Sequence, residues 1–205
     1  MSIEQLARVI YREFRAKPES QRIAGEFALI ELSRLLTRIK PKHVLEIGTG
    51  IGTITKLLLT HPDRPVQITA TEANRVCLAE LAKNLAGVPL DGLTLVKSAV
   101  ELDTADHYDL VIFDGTLDKE KQYQVFRPGT WCFVEGSRRA TISALKEKLA
   151  SHGLSINIEN KRPGGVKFRF LSARRLFGFR HPVVKIRQLK GCSFGQVEKR
   201  PAAMR

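Results

Sequence analysis

Short apolar runs alternate with segments of helical character along most of the chain, and this alternation constrains the fold more than any other feature. Strands joined through helices pair in parallel, because a parallel crossover needs a long connection. The run YDLVIFDG is almost continuously apolar, which is typical of a strand buried on both faces. The predicted strands are residues 43–48, 66–72, 93–99, 108–115 and 130–136.

Two further runs predict an antiparallel edge to this sheet. Residues 155–160 and 166–172 alternate between apolar and polar side chains, and KRPGG joins them, which is typical of a hairpin. The fold class is therefore α/β, a doubly wound, mostly parallel, seven-stranded sheet with an antiparallel C-terminal hairpin. Helices are predicted over residues 3–15, 21–39, 53–61, 74–87, 119–126 and 141–153.

Positive charge is concentrated near the C-terminus. The 205 residues carry a net charge of +13, and residues 173–205 hold nine Lys and Arg against one acidic residue. A chain of this length suits one domain. We predict a single domain over residues 1–172, in which residues 1–40 form a helical cover, followed by a basic extension over 173–205. Residues 195–205 are expected to fray.

The basic extension interleaves aromatic and aliphatic residues with its charges, as in RRLFGFRHPVVKIR. This composition suits an anionic partner, either RNA or a membrane surface, bound through residues 173–200. It suits, more than an anionic partner, an arm that packs on its own domain or on a second subunit of a homodimer. Disorder of the extension is the third interpretation.

The composition also bears on localisation. No apolar run approaches the roughly 20 residues of a transmembrane segment, and the first residues lack the apolar core of a signal peptide. Three cysteines, Cys77, Cys132 and Cys192, match no disulfide or metal spacing. These features predict a cytoplasmic protein with reduced thiols.

The stretch VLEIGTGIGT, residues 44–53, joins the first predicted strand to a helix, where sheets of this kind bind ligands. Its alternate glycines let a ligand approach bare backbone. The dinucleotide fingerprint G-x-G-x-x-G would place its third glycine at Thr53, so the spacing differs. Glu46 would repel a pyrophosphate and attract a cationic amino-acid group. The stretch predicts a nucleotide-like cofactor that carries such a group.

At this point the sequence resembles the class I S-adenosylmethionine (SAM)-dependent methyltransferases, over roughly residues 20–172. EIGTGIG (46–52) is similar to the family's first motif, E/D-x-G-x-G-x-G, and TATEAN (69–74) is similar to its second. VKSAV (96–100), YDLVIFDG (108–115) and GTWCFVEG (129–136) resemble the third, fourth and fifth. The resemblance implies a Rossmann-like fold, SAM as cofactor and methyl transfer as the reaction.

The resemblance also implies a set of cofactor-binding residues. Glu46 and the glycine turn would hold the methionine moiety, Glu72 would bind the ribose, and two residues after the third strand would line the adenine. The fourth strand ends at Asp114, which would lie near the methyl group. The cofactor-binding set is Glu46, Gly48, Thr49, Gly50, Gly52, Glu72, Ala73, Ser98, Ala99 and Asp114.

Asp114 and Glu135 are the catalytic candidates. Asp114 could act as general base, as metal ligand or as a cap on its own loop. FDGTLDKEKQY loosely resembles small-molecule O-methyltransferases of the catechol type, which hold a divalent cation with a further Asp-Asn pair at the end of the fifth strand. This chain has Glu135-Gly136 there, so a cation held by Asp114 and Glu135 is not favoured. Without a metal, Asp114, Glu135 or His107 would serve as base, or the acceptor would already be nucleophilic.

Arg138 and Arg139 follow the fifth strand and could hold a carboxylate or phosphate on the acceptor. A solvated basic loop before a helix is the other interpretation of this pair.

Three functions remain open from the sequence. The main one is a SAM-dependent methyltransferase that acts on a small-molecule or carbohydrate-like acceptor at oxygen. The second is an RNA methyltransferase that uses the basic extension to hold its substrate. The third is a non-catalytic SAM-binding or scaffold protein.

Overall fold

The structure is a computed structural model that describes residues 1–97, 102, 107–115, 121–136, 139–161 and 192–199. Its helices are α1 (Ile3–Arg15), α2 (Glu26–Ile39), α3 (Thr53–Thr60), α4 (Arg75–Asn84), α5 (Lys121–Gln124) and α6 (Arg139–Ser151). Its strands are β1 (His43–Ile47), β2 (Gln67–Thr71), β3 (Leu93–Val96), β4 (Leu110–Phe113), β5 (Trp131–Glu135), β6 (Leu154–Lys161) and β7 (Cys192–Lys199).

The seven strands form one sheet in the order β3-β2-β1-β4-β5-β7-β6. Strands β1 to β5 are parallel, and β7 runs antiparallel to both β5 and β6. The predicted fold class is confirmed. The chain moves outward from β1 to β3 and then returns to place β4 on the other side of β1, so the direction of winding reverses beside β1. Sheets of this kind bind ligands at that reversal, beyond the carboxyl ends of the strands.

The antiparallel partner of β6 lies later in the chain than the sequence predicts. Strand β6 pairs with Cys192–Lys199, whereas the predicted second strand, residues 166–172, lies outside the described residues. Part of the predicted basic extension is thus a strand of the sheet. The expectation of fraying is wrong for residues 195–199. Gly195 lowers the β-propensity of this segment, so the sequence does not predict a strand there. The glycine is needed because a Cβ at this position would lie only 2.1 Å from the Asn157 carbonyl oxygen on β6.

The sheet is covered by apolar side chains on both faces. Alternate residues of β4 enter different clusters: Leu110 and Ile112 pack with α1, α2 and α3, whereas Val111 and Phe113 pack with α5 and α6. All four are fully buried. This is why the β4 sequence is apolar without alternation, as expected for a parallel strand with helices on both sides.

The N-terminal part of the chain packs on the sheet through two helices. Helix α1 begins with a capping box in which Ser2 and Gln5 bind each other's backbone, and it buries Leu6, Ala7, Ile10 and Phe14. Helix α2 begins five residues later than the predicted 21–39 helix, because Ser20–Arg22 forms a short 3₁₀ turn and Gly25 is extended. Among the described helices, none has the length and apolarity of a membrane span.

Candidate functional site

The glycine turn, residues 48–52, connects β1 to α3 and is tied to the end of β2. The backbone N–H groups of Gly48 and Thr49 both donate to the carbonyl oxygen of Thr71, at 3.1 Å. Gly48 also donates to the Thr71 hydroxyl at 3.2 Å. The turn therefore lies against the carboxyl end of the neighbouring strand, at the winding reversal.

The three positions of this turn require glycine for different physical reasons. All have positive φ, +85° at Gly48, +53° at Gly50 and +97° at Gly52, which a side chain disfavours. A Cβ at Gly48 would lie 2.7 Å from the backbone nitrogen of Gly115, so two loops meet there backbone to backbone. A Cβ at Gly52 would touch Leu81 of α4 at 3.4 Å. A Cβ at Gly50 would meet nothing within 4 Å, so Gly50 faces open space.

Glu72 follows β2 and holds the glycine turn in place. One carboxylate oxygen accepts a hydrogen bond from the Gly50 N–H at 2.8 Å, and the other accepts from the Asn74 N–H at 2.7 Å. The Asn74 side chain in turn caps the first turn of α4 by accepting from Val76 N–H at 2.9 Å. Glu72 thus lies beside the one glycine that faces open space, where the sequence placed the ribose-binding carboxylate.

Glu46 is a buried carboxyl group with an incomplete set of partners. It lies in β1, has no exposed surface, and accepts one hydrogen bond from the Thr55 hydroxyl at 2.8 Å. Its second oxygen has no hydrogen-bond partner among the described residues. The pKa of Glu46 is raised to about 8, chiefly by burial, against the lowering effect of the Thr55 hydrogen bond and with a smaller raising effect of the negative charges of Asp114 and Glu72.

Asp114 lies where β4 ends, next to the glycine turn. Its N–H and that of Gly115 donate to the Ile47 carbonyl oxygen at 3.0 and 2.9 Å. The side chain is partly exposed, and its charge acts on Glu46. The negative charges of Glu72 and Asp114 at the glycine turn therefore favour a cationic ligand group there, and such a group would lower the raised pKa of Glu46.

Glu135 ends β5 beside the end of β4, since Phe113 pairs with Val134 in the parallel ladder. Its side chain is buried, and one carboxylate oxygen accepts a hydrogen bond from the Gly25 N–H, at the start of α2, at 3.2 Å. A carboxylate is favourable at this position, because helix N-termini carry unpaired N–H groups and partial positive charge. In the part of the chain that the structure describes, no three metal-ligating side chains form a group.

The other predicted site residues are placed as follows. Thr49 is buried within the turn, and Ala73 is exposed after Glu72. Arg139 is the exposed first residue of α6. His107 lies at the opposite, amino edge of the sheet, with its carbonyl oxygen 3.3 Å from the His43 ring. Three predicted residues, Ser98, Ala99 and Arg138, lie outside the described residues.

Two residues that support the glycine turn are not among the site residues predicted from the sequence. Thr55 is the partner of Glu46, and the Asn84 side chain donates to the Ile51 carbonyl oxygen at 3.0 Å. Both side chains are buried on helices, Thr55 on α3 and Asn84 on α4. A polar residue on the apolar face of a helix is the sequence signal that could have found them, because a buried polar group needs a partner.

Glu46 predicts a pH dependence of stability in the ligand-free protein. Its pKa rises from 4.5 to about 8 on folding, so the folded state holds a proton that the unfolded state has lost. The contribution of Glu46 to the free energy of unfolding should be fully present below pH 4.5 and fall by about 1.4 kcal/mol per pH unit, at most, up to about pH 8. Urea unfolding of wild type and Glu46→Gln at several pH values measures this. The variant should lose the slope, and equal slopes in both proteins would contradict the assignment.

No family model and no curated protein matches this sequence. Solved structures do match its fold. The O-methyltransferase TomG from Streptomyces achromogenes, determined in complex with SAM, is 17% identical, with a TM-score of 0.56 over 97% of this chain and 90% of that one. M. jannaschii TYW2, determined in complex with AdoMet, is 16% identical, with a TM-score of 0.55 over 87% of this chain and 79% of that one.

These similarities, at such low identity, establish the fold. The chain has the Rossmann-like fold of class I SAM-dependent methyltransferases, as the sequence motifs predicted.

Proposed function

We propose that this protein is a SAM-dependent methyltransferase that acts at oxygen on a small-molecule or carbohydrate-like acceptor. The observation that carries the proposal is the pairing of Gly50 with Glu72. The one glycine of the turn that faces open space is held at 2.8 Å by a carboxylate at the end of the next strand. Such a carboxylate is suited to accept hydrogen bonds from ribose hydroxyls.

The charges around the turn support SAM over a dinucleotide. The charges of Glu72 and Asp114 would repel a pyrophosphate, whereas SAM carries a positive sulfonium and a positive ammonium group. One oxygen of buried Glu46 lacks a hydrogen-bond partner among the described residues, and a buried polar group of this kind is costly until it is paired. The residues present therefore fit SAM.

In this proposal the chain positions both reactants and receives a proton. When bound, SAM supplies an electrophilic methyl group. Glu72 and the Gly50 backbone would hold the nucleoside, and Glu46 would hold the methionine moiety. Asp114, fixed through its backbone to Ile47, accepts the proton from the acceptor hydroxyl as general base. Positioning and proton transfer are the two contributions that this transfer needs from the protein.

The oxygen atoms available from Asp114 and Glu135 favour a general base over a metal ion at the carboxyl edge of the sheet. Asp114 and Glu135 are the pair that would hold a divalent cation, but Glu135 already accepts a hydrogen bond from Gly25. A hard cation takes about six oxygen ligands, and this pair supplies few of them.

The experiment that tests the proposal is calorimetric titration of the purified protein with SAM and with S-adenosylhomocysteine (SAH). We expect saturable binding of both, with NAD as a control that does not bind because of the carboxylates at the turn. The titration is repeated with and without Mg²⁺, and equal affinities would agree with a metal-independent site. A protein that binds neither SAM nor SAH would contradict the proposal and favour a scaffold role.

The charge of the C-terminal segment supports one alternative acceptor, RNA. Residues 173–191 contain six Lys and Arg and no acidic residue. Binding to RNA through such a segment should weaken steeply with salt, because phosphate contacts release counterions. Fluorescence anisotropy with a labelled single-stranded RNA between 50 and 200 mM salt, roughly the range over which such contacts are lost, distinguishes it from a small-molecule enzyme.

A further inference from the structure

The segment between α1 and α2, residues 16–25, lies at the same edge of the sheet as the glycine turn. We call it the α1–α2 connection. Its core-facing residues Ile23 and Ala24 are buried in the same cluster as Ile51 of the glycine turn. The connection is therefore packed onto the domain rather than extended into solvent.

One part of the connection lies near the end of β2. Cys77 stands in the first turn of α4, and burial and then Glu72 raise the pKa of its thiol. Glu19 and Arg22 of the connection also act on this pKa, in opposite directions. Both side chains are thus within electrostatic range of the helix that follows β2 and Glu72.

The other end of the connection is attached at β5. The Gly25 N–H donates to the buried carboxylate of Glu135 at 3.2 Å. Strands β2 and β5 are separated by three inter-strand spacings, about 14 Å. The steps from Glu19 to Gly25, three through the 3₁₀ turn and three extended, span about 16 Å. This reach is long enough for the connection to cross the carboxyl ends of the two strands between them, β1 and β4, which carry the glycine turn and Asp114.

The backbone of the connection is held in an unfavourable conformation at one point. Glu19 has a φ of +59°, in the left-handed region that non-glycine residues rarely adopt. Such conformations persist only where the surroundings impose them, and they concentrate at ligand clamps and active sites. The contact with Glu135 is one of the surrounding contacts that fix the path of this segment.

We propose that Glu135 is a positioning residue, which holds the α1–α2 connection over the cofactor site and so retains SAM and excludes water from the transfer. The inference rests on the function proposed above. It gives Glu135 a role that needs neither a metal nor a proton transfer. The carboxylate acts through Gly25 and the start of α2, and it touches the connection rather than the reacting atoms.

Two variants break the contact from opposite sides. Glu135→Ala removes the acceptor. Gly25→Pro removes the donor, and the φ of −69° at Gly25 already suits proline. Each should raise the rate of SAH dissociation, measured by stopped-flow fluorescence, by about tenfold, as expected for the loss of one hydrogen bond to a charged group. Glu135→Gln keeps an acceptor oxygen and should stay within about twofold of wild type.

Asp109→Ala is the matched control. Asp109 also accepts backbone hydrogen bonds, from Lys42 at 2.7 Å and His43 at 2.9 Å, but at the amino edge of the sheet. It should destabilise the fold without changing SAH dissociation. In ligand-free protein, amide hydrogen exchange of residues 16–25 should accelerate in Glu135→Ala and remain unchanged in Asp109→Ala.

The outcomes separate this inference from the proposed function. If wild type binds SAH, and both Glu135→Ala and Gly25→Pro release it at the wild-type rate, the positioning role is wrong and the proposed function stands. If wild type does not bind SAH, the proposed function is wrong, and with it the purpose assigned to Glu135. Equal loss in Glu135→Gln and Glu135→Ala would also overturn the role, since the amide keeps the acceptor.

Discussion

Asp114→Asn is expected to leave SAM affinity within about twofold of wild type while it lowers methyl transfer by 10²- to 10⁴-fold, roughly the contribution of a positioned general base. The reason is that asparagine keeps the size of the side chain but has no basic carboxylate. The backbone bonds from residues 114 and 115 to Ile47, which fix this loop, do not involve the side chain. Transfer of labelled methyl from SAM to a panel of hydroxylated small molecules measures the rate, and calorimetry measures the affinity.

Asp109→Asn provides the control for this experiment. Asp109 immediately precedes the same strand, β4, but lies at its amino end, where its side chain binds the backbone of Lys42 and His43. A change there tests whether altering a carboxylate next to this strand is enough to slow transfer. If Asp114→Asn retains wild-type turnover, the role of Asp114 is structural and the base must be sought elsewhere.

Glu72→Ala is expected to weaken SAM binding on the order of 2–4 kcal/mol, or about 30- to 1,000-fold in the dissociation constant. Two losses contribute. The ribose hydroxyls lose their acceptor, and the Gly50 and Asn74 N–H groups lose the bonds that hold the glycine turn to the start of α4. Glu72→Gln should have an intermediate effect, because an amide has one acceptor oxygen instead of two.

Calorimetric titration with SAM measures the effect, and Glu80→Ala is the matched control. Glu80 is a carboxylate on α4 that pairs with Lys83 at 2.7 Å, within one helix. Such a pair contributes little, so affinity should not change. Unchanged affinity in Glu72→Ala would rule out the ribose assignment and leave Glu72 as a structural link only.

The parallel part of the sheet could be predicted because the sequence patterns that define it lie within short stretches of the chain. A β4 strand whose residues are all apolar can only lie between two covered faces, and the glycine turn follows the first strand directly. The position of Glu72 follows from the same reasoning, since the end of the second strand is evident in the sequence. These features depend on residues within a few positions of one another.

The features that the sequence did not predict depend on contacts between residues far apart in the chain. The start of α2 at Glu26 is set by Gly25, whose partner Glu135 is 110 residues away. Strand β7 contains a glycine that propensity disfavours, and only its close approach to Asn157 explains that residue. The three glycines of the turn look equivalent in sequence, but their surroundings differ. Gly48 lies against the backbone of Gly115, Gly52 lies against Leu81, and Gly50 faces open space.

The position of β7 has a consequence for synthesis of the protein on the ribosome. Strand β7 lies between β5 and β6 in the sheet, so β6 joins the sheet only through a strand that is made after a further 30 residues, 162–191. Until Cys192 to Lys199 have emerged, β5 is the edge of the nascent sheet, and its unpaired backbone groups are open to other chains. Closure over this separation is slow relative to local helix formation. The late interval of translation is therefore when the chain is most exposed to aggregation, and when a chaperone would matter most.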